Sequence, residues 1–481
     1  MDPDSALKEA RRLDREGASG RAVLAYKLLL RTDPGRIDVK VDLSSLLVRL
    51  GRHEEALALG REVLEACPRH PAALQNVAGA CLGLGRYAQA QAYASALLEL
   101  EPGNASGHLA LGLSLAGQGA SADDHFRRAR ALDPRDPGIR HYLIDQLLPR
   151  RAWAELLPLW KEVIDQEMTG PKARMEMAFL QLTYGNFQEG WDGYESRFEP
   201  PNEVFPRVET PAPLWDGSPF PGRTLLLHYE QGFGDTLMFI RYAARIRALG
   251  GRVAALVQPQ LVSVLASVQG VDTWFTLADP VPRYDLHLPL LSVPRVLGTR
   301  LDSIPAEVPY VFAPPEPSPA SDAVLPSPNL KVGLVWAGTR DHSLDALRTL
   351  PLASLEALGR VPGVDWYSLQ VGYEGGLPFD NLRDLAPLLR DFGDTARVLA
   401  KLDLLITVDT AVAHLAGAMG VPAWLLLPLV PDWRWLLDRE DSPWYPTFRL
   451  FRQLDGHTWD GVLARVEESL NDLMNTRRGT C

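Results

Sequence analysis

Gly17, Gly51, Gly85 and Gly119 stand 34 residues apart, and this period constrains the first part of the chain more than any other feature. Ala22, Ala56 and Ala90 keep the same step, as do Pro34, Pro68 and Pro102. A unit of this length, with glycine in its middle and proline at its end, is a pair of helices. Glycine supplies the turn, alanine lets the helices approach where they cross, and proline stops the second helix. One such pair cannot bury its own apolar side, so the units stack into a curved solenoid with a concave face.

The segments Gly51-Arg-His-Glu-Glu-Ala56 and Gly85-Arg-Tyr-Ala-Gln-Ala90 repeat the same inter-helix turn, and the pattern is that of tetratricopeptide repeats. The fourth unit departs from it. Gly119 to Pro134 is 15 residues against 17 from Gly85 to Pro102, which predicts a truncated second helix. Residues 138–170 and 171–198 read as further helix pairs, so an all-α solenoid is expected over 1–199. Its concave face suits a protein or peptide ligand. The alternatives are a rigid spacer or a dimerisation arm that makes a homo-oligomer. No residue in this part has a catalytic pattern.

A chain of 481 residues is too long for one core. Its net charge of −11 argues against nucleic acid or an anionic membrane surface as a general partner. Cys67, Cys81 and Cys481 show no CxxC spacing, and residues 1–8 have no apolar signal region, so a cytoplasmic location is expected. The most apolar long stretch, 404–430, is interrupted by Asp409, His414, Pro422 and Pro428 and does not read as a membrane span.

Residues 200–222 form a proline-rich linker in which Trp215 is the expected anchor. Residues 223–313 then read as a first α/β unit. Thr224–His228 is a short buried strand, followed by Tyr229-Glu-Gln-Gly-Phe-Gly-Asp235 and a helix from Thr236 to Leu249. Gly232 and Gly234 begin a dinucleotide-binding pattern, but Leu237 replaces its third glycine and Gln258 stands where an acidic ribose ligand belongs. A dehydrogenase is therefore not expected. The turn instead brings backbone close to a substrate and presents Asp235 as a candidate general base, or as a helix cap only. His228 and Glu230, on the same turn, are alternative bases.

After a second linker at 314–330, residues 331–481 read as a second α/β unit. Lys331 to Gly338 is a strand entering a glycine turn, and Arg340, His342 and Arg348 follow on a polar loop that can pair with phosphates. Trp366–Gln370 and Trp424–Leu427 are further strands, and Asp391-Phe-Gly-Asp394 precedes a helix over 395–402. Leu404–Val408 is an apolar run that reads as a strand buried on both faces, and Ala411–Met419 has helical composition. Asp409 and Thr410 stand at the junction as candidate caps. The unpaired N–H groups of the helix start favour an anion, and His414 can donate to a phosphate oxygen. An ordinary strand–cap–helix turn with a satisfied histidine is the alternative. The aromatic loop from Pro431 to Trp435, with Ser442-Pro-Trp-Tyr445, suits sugar or base stacking, or equally a core seam. Two α/β units with a closing helix near 459–474 describe a cleft, with nucleotide on the second unit and acceptor facing the first.

Gly232-Phe-Gly-Asp-Thr-Leu237, Trp336-Ala-Gly-Thr339 and Val408-Asp-Thr-Ala-Val-Ala-His414 resemble the heptosyltransferase-like GT-B glycosyltransferases, in their bacterial variant with N-terminal tetratricopeptide repeats. The architecture is similar to that of protein O-GlcNAc transferases and flagellin glycosyltransferases. The resemblance implies an α/β GT-B domain of two Rossmann-like units facing a cleft, and an inverting transfer from a nucleotide-sugar donor. The acceptor is a protein or peptide held by the repeats. The alternatives are transfer to a lipid-linked or surface glycan, and a non-catalytic interaction protein. It maps the base to Asp235, a donor-phosphate contact to Arg348, and the pyrophosphate site to Asp409, Thr410, Ala411 and His414. Gly338, Thr339 and Gln370 complete the donor side. It also implies no metal and no cofactor, since helix N–H groups and Arg348 would stabilise the departing diphosphate. Two departures stand out: relatives often carry lysine after Ser-Leu-Gln where this chain has Val371, and the first α/β unit is short.

Overall fold

The computed structural model describes residues 3–136, 139–140, 143–144, 153–167, 170–199, 210–338, 345–373, 375–454 and 458–479. The chain forms two compact units, Met1–Leu147 and Leu148–Cys481.

In the first unit, helices α1 (Pro3–Arg15), α2 (Ser19–Thr32), α3 (Ile37–Arg49), α4 (His53–Ala66), α5 (Pro71–Gly83), α6 (Tyr87–Leu100), α7 (Ala105–Gly117) and α8 (Asp123–Leu132) pack as antiparallel pairs. Gly17, Gly51, Gly85 and Gly119 all have φ between 68° and 74°, the left-handed turn that side chains resist. Ala22, Ala56 and Ala90 are fully buried at the crossings. Helix α8 has 10 residues against 14 in α6, as the shortened fourth unit predicts.

The second unit opens with α9 (Trp153–Glu167), α10 (Gly170–Thr183) and α11 (Phe187–Tyr194). The repeat pattern predicts that these helices continue the array, yet α10 and α11 join the α/β core. Phe187, Trp191 and Tyr194 are buried with Phe239, Trp433 and Trp444, and the Trp191 indole donates to the Thr299 carbonyl at 3.1 Å. Trp215 anchors the linker as expected. Its backbone N–H donates to His287 O at 2.9 Å and its indole N–H to Ser218 O at 2.8 Å.

Two wholly parallel sheets follow. The first contains β1 (Thr224–His228), β2 (Arg252–Leu256), β3 (Thr273–Phe275) and β4 (Leu286–Pro289), ordered β3-β2-β1-β4. The second contains β5 (Leu330–Val335), β6 (Val364–Ser368), β7 (Leu382–Asp384), β8 (Leu404–Val408), β9 (Ala423–Leu427) and β10 (Phe448–Arg452), ordered β10-β9-β8-β5-β6-β7. Both follow the doubly wound rule, with strand order reversing beside β1 in the first sheet and between β5 and β8 in the second. Ligands of such sheets bind beyond the carboxyl ends of the strands at these reversals. The helices that matter there are α12 (Phe233–Phe239), α13 (Phe392–Leu399) and α14 (Ala411–Ala418), while α15 (Asp460–Gly479) covers the second sheet through Val462, Leu463, Val466 and Leu470. The helix expected over 236–249 is broken: α12 ends at Phe239, a 3₁₀ turn intervenes, and a short helix resumes at Ala243.

Candidate functional site

A cleft of about 920 Å³ opens at both strand reversals. It is lined by the turn after β1 (Gly232, Gly234, Asp235), the turn after β5 (Ala337, Gly338, Arg348) and the start of α14 (Asp409, Thr410, Ala411, His414). Gln370 and Val371 after β6, and Asp432 and Arg434 after β9, complete the wall. Phe233 meets Phe392 across it, with ring centroids 5.1 Å apart. The cleft thus gathers Asp235, Gly338, Arg348, Gln370, Asp409, Thr410, Ala411 and His414. Thr339, Arg340 and His342 lie outside the described residues.

Thr410 occupies the N-cap position of α14 but makes no capping hydrogen bond with its side chain. The first bond across this end is His414 N–H to Thr410 O, at 3.3 Å. Among the described residues, the N–H groups of Ala411, Val412 and Ala413 donate to no acceptor, which leaves the positive end of the helix open to the cleft. Arg348 stands beside it and donates to Asp409 O at 2.9 Å. A Cβ on Gly338 would lie 2.2 Å from the Arg348 guanidinium, so that glycine makes room for the arginine.

Gly234 has a similar purpose: a Cβ there would lie 2.7 Å from His414 Cδ2. Gly234 therefore serves close approach of α12 to α14, while a Cβ on Gly232 would meet only the Asp235 carboxylate at an ordinary 3.5 Å. His414 is buried, stacked on Trp435 and bonded through Nδ1 to the Tyr445 hydroxyl at 2.9 Å, with Nε2 3.7 Å from Asp409 Oδ1. Burial, with Arg434 and Arg241 near, holds its pKa well below the ordinary value, so the ring is neutral. Asp409 is pushed up to about 6 by burial and by the charge of Asp432, against the Trp435 indole, Arg434 and Arg348.

Asp235 is both cap and wall. Its Oδ2 accepts from Gly232 N–H at 3.0 Å, and its Oδ1 pairs with Arg434. Burial outweighs the Arg434 charge and raises its pKa above the ordinary value. The alternatives on the same turn point elsewhere. Glu230 is buried in a bidentate ion pair with Arg197 at 2.9 and 3.1 Å. His228 is buried against His287, ring centroids 5.6 Å apart, and is pushed down to about 4 chiefly by burial. Neither lines the cleft. Gln370 lines it, but its Oε1 accepts from the N–H groups of Trp336 and Ala337 at 3.0 and 2.8 Å. It fixes the turn after β5 and has little left for a ligand.

The stacking role considered for the aromatic loop does not hold. Trp433, Trp435, Trp444 and Tyr445 are all buried, and Trp433 packs edge-on to Trp191 at 5.2 Å. The loop forms a core seam, and the residue it delivers to the cleft is Arg434, which the sequence alone does not single out. The available cue is a charged residue between two tryptophans that both turn inward. Among the described residues, no group of three or more His, Cys, Asp or Glu side chains is placed to hold a metal ion. No described helix is long and apolar enough to cross a membrane.

Residues 7–71 and 47–112 match the tetratricopeptide repeat family, so the N-terminal region is a tetratricopeptide array of the kind that binds proteins. Along nearly its whole length the chain is similar to Protein FlbA of Caulobacter vibrioides, with 27% identity covering 95% of this chain and 82% of that one. Solved structures similar to part of the chain include PilF of Pseudomonas aeruginosa, at 17% identity over 40% of this chain and 87% of that one, with a TM-score of 0.32. MamA of Desulfovibrio magneticus is 20% identical over 35% of this chain and 96% of that one, with a TM-score of 0.29.

Proposed function

We propose that the second unit is a GT-B glycosyltransferase of the heptosyltransferase-like kind, which transfers sugar from a nucleotide-sugar donor to a protein or peptide held by the repeats. One observation carries this reading. The cleft lies at the strand reversals of two parallel sheets and brings a candidate carboxylate base opposite an open helix N-terminus flanked by an arginine. In the reaction, an acceptor oxygen bonds to the anomeric carbon and gives its proton to Asp235. The bond from that carbon to the leaving phosphate oxygen breaks, and its electron pair stays on the diphosphate. The N–H groups of Ala411 to Ala413 and the Arg348 guanidinium would stabilise that charge without a divalent ion. Burial supports the role of Asp235, because a carboxylate with a raised pKa accepts a proton more readily.

The guanidinium paired with Asp235 favours a second reading, a non-catalytic interaction protein that keeps the fold. Calorimetric titration with nucleoside diphosphates in EDTA tests the donor site. Donor turnover in wild type and in Asp235→Asn then separates the readings. Binding with turnover that the variant lacks supports the enzyme, whereas binding without turnover in wild type supports the scaffold. Absence of nucleotide binding sinks the transferase reading.

A further inference from the structure

We infer that Arg434 works in two positions: it latches Asp235 while the cleft is empty, and turns to the diphosphate when a nucleotide enters, freeing the carboxylate as the base. This rests on the glycosyl-transfer reading above. Both oxygens of Asp235 are engaged, Oδ1 by Arg434 and Oδ2 by Gly232 N–H. The Arg434 charge and hydrogen bond lower the proton affinity of Asp235, so releasing them makes the carboxylate a stronger base. Arg434 itself is incompletely satisfied. Beyond Asp235 it donates to Asp432 at 2.8 Å, and its buried Nε finds no acceptor among the described residues.

The charges around it give the motion a direction. Asp235, Asp391, Asp409 and Asp432 share the cleft wall with the guanidinium groups of Arg348, Arg390 and Arg434, and His414 is neutral. A diphosphate at the start of α14 adds further negative charge to a wall already richer in carboxylates, and the Arg434 guanidinium, shared between Asp235 and Asp432, is drawn to it. The distance to travel is short in structural terms. His414 stacks on Trp435, next in sequence to Arg434, and the same ring abuts Gly234, next to Asp235.

The backbone that carries Arg434 is fixed. Trp433 and Trp435 are buried on either side of Arg434. Beyond them the chain is held in backbone that side chains avoid: Leu436 has φ 54° and ψ −165°, and Asp438 has φ 52°. Arg452 secures this stretch by donating to the carbonyls of Leu436 and Arg439 at 2.9 and 2.8 Å, and also to that of Trp435. Strained backbone that neighbouring contacts over-determine is how a loop holds one side chain in register with a ligand.

The full-length chain, with Asp235→Asn, Arg434→Met and Arg434→Lys, is titrated by calorimetry in EDTA with UDP, GDP, ADP and CDP. The amide introduced by Asp235→Asn still accepts from Gly232 N–H but no longer holds the guanidinium. The nucleotide that wild type binds should bind about five- to twenty-fold tighter to Asp235→Asn, because the latch no longer competes. It should bind at least about ten-fold weaker to Arg434→Met, with most of the loss recovered in Arg434→Lys. A structural cap on Asp235 alone predicts no gain in Asp235→Asn. Unchanged or weaker binding there overturns the latch and leaves the donor site standing. A wild type that binds none of the four overturns the donor reading and the latch together.

Discussion

Asp409→Asn isolates the cost of burying charge at the end of β8. In the fold, burial and Asp432 raise the Asp409 pKa from 3.8 to about 6, and the indole of Trp435 with Arg434 and Arg348 offsets this only in part. A raised folded pKa means that the native state holds the proton more tightly than the unfolded chain does. Its contribution to stability is intact below the unfolded value and is lost as pH rises through about 6. At about 1.4 kcal/mol per tenfold, ionised Asp409 costs the fold about 3 kcal/mol at pH 7.5 and about 1 kcal/mol at pH 4.5. Asparagine removes the charge and keeps the shape, so the variant should be the more stable by those margins. All 12 tryptophans lie in the second unit, so indole fluorescence during urea unfolding reports that unit alone. An advantage that stays constant between the two pH values, or a variant less stable than wild type at pH 7.5, would falsify the charge-burial account. The same variant should leave the His414–Tyr445 bond undisturbed, because that bond uses the other ring nitrogen.

Two glycines of the cleft should respond oppositely to alanine. Gly234→Ala drives a methyl into the His414 ring, which Trp435 and Tyr445 hold in place, and should destabilise the second unit by about 1–3 kcal/mol by urea midpoint. Gly338→Ala meets only the flexible end of Arg348. The midpoint should therefore hardly change, while nucleoside diphosphate affinity falls about ten-fold as the guanidinium is displaced; unaltered affinity would remove Arg348 from the donor site. Val371 is an exposed residue of the cleft wall, and Val371→Lys should tighten nucleoside diphosphate binding in low salt, with the gain shrinking as salt is added.

The parts of this fold that are legible in the sequence are those determined by near neighbours. The repeat glycines are read from their period because each turn needs left-handed backbone, and the φ values comply. Strand β8 and helix α14 are read from a run of four apolar residues and one threonine followed by a polar junction, and their bounds follow almost residue for residue. Strands β7 and β10 escape such a reading for opposite reasons. The first is a three-residue edge strand with two exposed positions, too short to show a period, and the second lies next to aromatic residues that mask its alternation.

What the sequence leaves open is decided by long-range partners. His228, Glu230 and Asp235 lie within eight residues, and all three are reasonable bases on chemistry alone. The fold separates them by giving His228 to His287 and Glu230 to Arg197, and by leaving Asp235 to the helix whose start enters the cleft. Gly234 is glycine because of His414, which stands 180 residues later, so no local rule about glycine turns could supply the reason. Arg434 shows the same limit from the other side. Its two flanking indoles suggest a stacking surface, yet both turn inward, and their burial is what fixes the arginine against a carboxylate 199 residues away. The two tryptophans and the arginine between them are one device, since all three residues of this 3₁₀ turn are buried and the guanidinium meets the cleft wall only where it pairs with Asp235 and Asp432.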